Sequence, residues 1–323
     1  MEMLKLRPAC KDYLWGGHRL VEEYGIDYPG DICAEAWTLS CHKDGESVVC
    51  EVAGKVSSEE CKYVGKPLDE VIRDNGKEIL GTNCVRFEDF PILIKLIDAK
   101  KPLSIQVHPD DEYALKNEGQ YGKTEMWYIL EAQEGSYLYQ GFDHEITKEE
   151  FENRIKDNTL EEVLNKVYVK KGDVVFIKPG TLHAIGAGIL LAEIQQNSNV
   201  TYRIYDYGRL GADGKPRQLH IKQSIDVTKL EPPTPYKAED GHLAVCPFFQ
   251  VDLFEVKEGA SFETNVDATS FVNLLVTDGE ANVISADSGQ TLHVSKGESL
   301  FIPAGTGCIK IEGALQGLLT RIP

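Results

Sequence analysis

Four residues of this chain have the types and spacing to hold a metal ion. They are Gln106 and His108 in Ser104-Ile105-Gln106-Val107-His108-Pro109, Glu125 in Lys123-Thr124-Glu125-Met126-Trp127-Tyr128, and His183 in Pro179-Gly180-Thr181-Leu182-His183. Residues two apart on an extended strand point to the same face, so Gln106 and His108 can grip one ion together. Two imidazoles, a carboxylate and an amide oxygen form a mixed nitrogen and oxygen set. That set suits a borderline divalent ion such as zinc, with a water in the open position that a catalytic metal needs. A lone histidine in a β-domain is more often structural, and His18, His42, His144, His220, His242 and His293 are read that way.

The elements that must position these donors are short strands punctuated by Gly, Pro, Asp and Asn. One run, Pro91-Ile92-Leu93-Ile94-Lys95-Leu96-Ile97, is nearly continuous in apolar residues and predicts a strand buried on both faces. Lys95 inside it then requires a partner or a ligand. Helices are few. Thr147-Lys148-Glu149-Glu150 is a capping-box pattern ahead of Phe151, Ile155 and Leu160, and Thr159-Leu160-Glu161-Glu162 repeats it ahead of Val163, Leu164 and Val167. A third helix is expected between Leu68 and Leu80, weakened by Gly76. All three lie outside the metal-ligand stretches and read as packing elements.

An internal repeat sets the architecture. Gly172-Asp173-Val174-Val175-Phe176-Ile177-Lys178-Pro179-Gly180-Thr181-Leu182-His183 lays over Gly297-Glu298-Ser299-Leu300-Phe301-Ile302-Pro303-Ala304-Gly305-Thr306-Gly307-Cys308. Both copies read turn, strand, turn, strand, which implies two related β-domains. The final His of the first copy is Cys308 in the second, which also lacks a nearby Gln-x-His, so the second domain is expected to keep the fold without the metal. Pro232, Pro233 and Pro235 forbid regular ladder hydrogen bonds and mark a linker. The expected domains are residues 1–231, holding the metal, and 238–323. Small antiparallel domains of this kind manage their edges by closing into jelly rolls or barrels, with a concave interior where side chains converge.

Composition narrows the function. Hydrophobic residues at 42% and charged residues at 27% are the proportions of a globular protein rather than a disordered one. The formal net charge of −18 argues against nucleic-acid binding, which relies on Lys and Arg neutralising phosphates. A small anionic ligand is still allowed where a few basic residues converge. No run approaches the length of a membrane span and Met1 to Pro8 lacks an apolar signal core, so a cytoplasmic protein with no membrane partner is expected. Cys10, Cys33, Cys41, Cys50, Cys61, Cys84, Cys246 and Cys308 contain no Cys-x-x-Cys pair and read as free thiols.

The chain resembles the type I mannose-6-phosphate isomerase family of zinc-dependent cupin enzymes, in a short bacterial form. The resemblance rests on Pro102-Leu103-Ser104-Ile105-Gln106-Val107-His108-Pro109, on Gln195-Gln196-Asn197-Ser198-Asn199-Val200-Thr201-Tyr202-Arg203-Ile204-Tyr205-Asp206, and on Trp15-Gly16-Gly17 and Glu35-Ala36-Trp37. It implies a mostly β protein of two cupin jelly-roll barrels, with Gln106, His108, Glu125 and His183 holding one zinc per chain. It further implies Arg203, Glu193 and Lys123 as catalytic residues, and Lys95, Ser104 and Arg209 as substrate contacts, Arg209 standing where other members have a basic residue suited to the phosphate. Ile185 and Asn199 depart from the residues some members carry. The implied reaction is the interconversion of mannose 6-phosphate and fructose 6-phosphate through a cis-enediolate. Glu193 is the candidate base and Lys123 its alternative. The implied partner is a small sugar phosphate, and the chain a monomer or weak homodimer. Three other readings stay open: another metal-dependent cupin isomerase or an iron oxygenase, an inactive sugar-phosphate-binding regulator, and a purely structural Glu193–Lys95 pair with Arg203 bridging loops through Asp206.

Overall fold

Strand Ile92–Ala99 is buried along its whole length, as its apolar run predicts, and alternate side chains serve two different cores. In the computed structural model, which describes residues 2–54, 62–211, 214–238 and 240–323, it lies in a six-stranded antiparallel sheet. The order across that sheet is Val174–Ile177, Glu125–Ala132, Ile189–Gln196, Ile92–Ala99, Glu35–Leu39, Ala9–Lys11. Ile97, Trp127, Ile129 and Leu191 share one core with Leu138 and Ile185 of a second, five-stranded sheet. The second sheet runs Leu164–Tyr168, Tyr137–Phe142, His183–Ile185, Ile105–Val107, Tyr202–Tyr205. The other face of the first sheet, Ile94, Leu96, Met126, Tyr128 and Ile194, packs in a core with Leu4, Phe271, Phe301 and Leu318. A sheet covered on both sides needs apolar residues at both parities, which is why the run is continuous rather than alternating.

A nine-stranded sheet contains the C-terminal half, with Val272–Ser285 and Gly307–Arg321 at its centre. It also takes in strands Leu4–Arg7 and Val48–Val52, the former paired with Ser299–Ile302. The proline segment therefore divides the chain but not the sheets. Tyr236 at its end stacks on Phe176 at 4.1 Å, so the segment is fastened to the first unit. Val272, Leu274, Val283, Leu300, Ile302, Ile309 and Ile311 form a separate apolar core for the second unit.

The internal repeat is present in the backbone. Gly172 and Gly297 both take positive φ, +88° and +89°, ahead of strands Val174–Ile177 and Ser299–Ile302. Gly180 and Gly305 do so again in the next turn, at +83° and +77°. These left-handed turns are why glycine holds the same offset in both copies.

Local signals had uneven outcomes. Lys148–Lys156 is an α-helix whose Thr147 side chain accepts from the Glu150 amide, as its capping box predicts. Leu68–Asn75 is helical and stops at Gly76, φ +85°, after which Lys77–Leu80 is a 3-10 turn. The second capping pattern does not open an α-helix. Leu160–Val163 is a single 3-10 turn, and Leu164–Tyr168 is an edge strand paired with Tyr137–Phe142. Pairing to an available sheet edge outweighs a local capping preference there. Three further helices among the described residues, Arg19–Glu22, Asp111–Glu118 and Ile221–Val227, lie outside the segments that the sequence marks as helical. Among the described residues no helix is long and apolar enough to cross a membrane. Seven cysteines are free thiols, and Cys61 lies outside the described residues.

The aromatic stack Phe90–Phe271–Phe301, with centroids 5.3 Å and 5.2 Å apart, joins the two halves of the chain. Phe271→Ala is expected to lower unfolding stability by about 3–5 kcal/mol, the range for a fully buried Phe. Urea unfolding measures it, and a loss below about 1 kcal/mol would show that this junction does not support the fold.

Candidate metal centre and its cavity

The candidate metal donors come from both sheets of the first unit. Gln106 and His183 are direct cross-strand partners in the five-stranded sheet, and His108 follows strand Ile105–Val107. Glu125 opens the facing strand Glu125–Ala132, with Gln195 as its neighbour. The loops that deliver them are tied together: Gly180 donates its amide to the His108 carbonyl at 2.8 Å, and Lys123 donates to that of Pro109 at 3.0 Å. Gly122, just before Lys123, lies so close to Asp110 that an added Cβ would sit 2.4 Å from its backbone carbonyl carbon.

Both imidazoles are oriented. His108 Nδ1–H donates to the Val200 carbonyl and His183 Nδ1–H to the Thr181 carbonyl, each at 2.8 Å, which leaves both Nε2 atoms as acceptors facing inward, that of His108 3.4 Å from Lys123 Nζ. His183 Nε2 is 3.3 Å from Glu125 Oε1, His108 Nε2 is 3.7 Å from Glu125 Oε2, and the Gln106 amide end is 3.4 Å from His183 Nε2. Donors bound at about 2.1 Å to one tetrahedral ion stand about 3.4 Å apart, so the spacing fits a shared cation. A half-turn of the Gln106 amide presents its oxygen to that point. Both Glu125 oxygens are buried without a hydrogen bond, and His108, Glu125 and His183 form the one group of three or more such donors among the described residues. Lys123 Nζ lies 2.6 Å from Glu125 Oε2, an ion-pair contact outside hydrogen-bond alignment.

Around the donors lies a buried charge chain. Lys123 Nζ is 3.6 Å and Lys95 Nζ 3.2 Å from Glu193 Oε1, Trp127 Nε1–H donates to Glu193 Oε2 at 2.9 Å, and Lys95 is 3.7 Å from Glu35. The register explains the row: Glu193 stands directly between Trp127 and Lys95 on neighbouring strands, and Lys95 beside Trp37. Three carboxylates against two ammoniums leave one negative charge in excess. Burial, together with the charge of Glu193, pushes Glu125 up to about 8. Burial alone would raise Glu193 too, but Lys123, Lys95 and the Trp127 N–H hold it down to about 2. Burial pulls His183 down to about 4 and His108 well below its ordinary value, so both imidazoles are neutral ligands at neutral pH.

These groups open into a cavity of about 240 Å³. Its wall includes Lys95, Ser104, Gln106, Lys123, Glu193 and Arg203, so the expected site residues share one space with two exceptions of different kinds. His108, Glu125 and His183 lie behind the wall as fully buried donors. Arg209 points elsewhere: it is engaged by Asp206 and the Pro102 carbonyl, over the Tyr207 ring. Arg203 does not bridge through Asp206; its Nε donates to Ser104 Oγ at 3.2 Å and its Nη1 to the Gln218 carbonyl at 3.1 Å. Glu35, Arg217 and His220 also line the cavity. No local signal marks Arg217, and His220 had been read as structural. Glu35 was visible only as part of a motif with Trp37, whose Nε1–H it accepts at 2.7 Å.

Residues 3–136 match the phosphomannose isomerase type I catalytic domain, and residues 239–321 match the mannose-6-phosphate isomerase cupin domain. The mannose-6-phosphate isomerase ManA of Bacillus subtilis is 34% identical, covering 99% of each chain. The chain belongs to the type I phosphomannose isomerase family. Its fold is shared with the crystal structure of the Bacillus subtilis mannose 6-phosphate isomerase, with a TM-score of 0.88, 31% identity and 99% coverage of both chains. A zinc-bound mannose 6-phosphate isomerase structure, 19% identical, matches in fold with a TM-score of 0.77 over 98% of each chain. The catalytic-domain match spans His108 and Glu125, and His183 lies beyond it.

Cation binding is expected to expel about one proton near pH 7, because Glu125 titrates near 8 and carries a proton that the cation displaces while the imidazoles are already neutral. Above that value Glu125 is ionised beforehand and the release falls towards zero. Calorimetry in buffers of different ionisation enthalpy reads the proton count; zero release at pH 7 would contradict the buried, protonated carboxyl.

Proposed function

We propose that the protein interconverts D-mannose 6-phosphate and D-fructose 6-phosphate, using one zinc per chain held by Gln106, His108, Glu125 and His183. The observation that carries this reading is the meeting, in one cavity of about 240 Å³, of an oriented donor set with the Lys123–Glu193–Lys95 charge chain. Zinc, when bound, supplies Lewis-acid stabilisation of the negative charge that develops on the substrate oxygens. The remaining chemistry belongs to the chain. One proton leaves C2 of the open-chain aldose and returns to C1, while a second moves from the C2 hydroxyl to the C1 oxygen.

Glu193 is assigned to the carbon-bound proton. It is ionised at neutral pH, and the Trp127 N–H and Lys95 hold its two oxygens in place, so its position is set before substrate arrives. Lys123, 3.6 Å from the same oxygen, is the alternative base. Arg203, held by Ser104 and the Gln218 carbonyl, brings a fixed positive charge to the cavity wall and is assigned to the enediolate. Lys95 and Ser104 are assigned to substrate hydroxyls. A cytoplasmic setting accords with seven free thiols among the described residues.

The primary test is fructose 6-phosphate formation from mannose 6-phosphate with and without chelator. Turnover should vanish on chelation and return with zinc; a chelated sample that keeps its rate would exclude the metal. Glu193→Gln should retain zinc and lose about 10²- to 10⁴-fold in kcat, the usual contribution of a positioned general base. His183→Ala should lose the metal itself, and unchanged zinc content would remove His183 from the ligand set.

A further inference from the structure

We propose that Arg217, positioned by Asp206, is the residue that grips the phosphate group of the substrate, an assignment that rests on the sugar-phosphate reading of this cavity. Arg217 lines the cavity, whereas Arg209 does not. Its guanidinium is clamped edge-on: Nε donates to Asp206 Oδ2 at 2.7 Å and Nη2 to Asp206 Oδ1 at 2.6 Å. That bidentate contact uses one edge of the planar fork and leaves Nη1 with no hydrogen bond among the described residues. Arg203 is held by two separate acceptors, with Nε and Nη1 engaged and Nη2 free among the described residues. Two preorganised guanidiniums thus face one space, each with donors to spare.

The charge at this end matches a phosphomonoester. Among the described residues, Arg209 and Arg217 both pair with Asp206, and Arg203 lies close enough to feel its charge, so positive groups are in excess at this end. A phosphomonoester carries about 1.5 to 2 negative charges at neutral pH. The excess lies within a chain whose net charge is −18, so it is a local construction rather than a general property of the surface. Burial and the charge of Arg217 both pull Arg203 down from its ordinary value, the condition an anion between the two would relieve.

The two ends are also linked. Arg203 is the cross-strand neighbour of Gln106 and donates to Ser104, which stands two residues before Gln106 on the chain. Ser104 Oγ lies 3.2 Å from Arg203 Nε and 3.4 Å from Gln106 Oε1, so one hydroxyl links the arginine side of the cavity to the candidate metal donors. Asp206 acts through Arg217 and is a positioning residue. It holds Arg209 as well, so that Arg209 braces the clamp and the Pro102 carbonyl instead of facing substrate.

The experiment compares wild type, Arg217→Ala, Arg217→Lys and Arg209→Ala in steady-state turnover of mannose 6-phosphate and in direct calorimetric binding of inorganic phosphate to the zinc-loaded protein. Arg217→Ala should raise KM by about 10- to 100-fold with a smaller change in kcat, and weaken inorganic phosphate by a similar factor, as expected for loss of a charged hydrogen bond. Arg217→Lys should recover part of both, since a point charge replaces the fork. Arg209→Ala should change both by less than Arg217→Ala does. Unchanged KM and phosphate affinity in a folded, zinc-loaded Arg217→Ala protein would overturn the assignment, as would a larger effect at Arg209. If wild type formed no fructose 6-phosphate, the isomerase reading would fall on its own, while phosphate binding would still decide whether Arg217 holds the anion.

Discussion

Charge buried between two sheets is the constraint on which the rest of this structure depends. Lys95, Lys123, Glu125 and Glu193 are each less than 5% exposed, and an unpaired ion in such a place costs several kcal/mol. Each group is tolerable because another is placed against it: strand register sets Glu193 between Lys95 and Trp127, while Lys123 meets Glu125 and Glu35 meets Lys95 through side-chain contact. The set does not balance without a cation, and the raised Glu125 carboxyl expresses that imbalance. The same deficit makes the site a receptor for a divalent ion.

Such a chain of charges needs a rigid frame. The six-stranded sheet supplies it by being covered on both faces, one face closing the cavity and the other packing against the C-terminal unit. The repeated unit beyond residue 238 thereby has a physical role. Its own interior is filled by Val, Leu and Ile, while its Phe271 and Phe301, with the N-terminal Leu4, support the back of the sheet that carries Lys95, Glu125 and Glu193. A loosened rear wall would let the row of charges drift out of register and lose the compensation that keeps it buried.

The cavity has two ends of opposite character. At one end, carboxylates and neutral imidazoles invite a cation; at the other, Arg203 and Arg217 invite an anion. Ser104, just before strand Ile105–Val107, and Gln106 within it connect them. A substrate with a reacting carbonyl at one end and a phosphate at the other is oriented by electrostatics alone before any shape-specific contact forms.

The sequence by itself determined the donor set, the strand buried on both faces, the repeat and the first capping box. Each is encoded in short-range spacing: Gln106 and His108 share a face by the two-residue period, and Gly172 and Gly297 mark the same turn because only glycine accepts its φ without cost. Glu125 and His183, the other candidate donors, likewise sit in short local motifs. Tertiary structure decided what local spacing cannot. Whether Leu164–Tyr168 is helix or strand depends on the free edge of Tyr137–Phe142, and the partners of Lys95 are set by which strands lie beside it. Arg203, Arg209 and Arg217 are alike in sequence as basic residues in one stretch that also holds Asp206 and Asp213. Only the fold separates the one that braces Pro102 from the two that face the cavity, because a side chain's electrostatic role is set by what lies across from it in space.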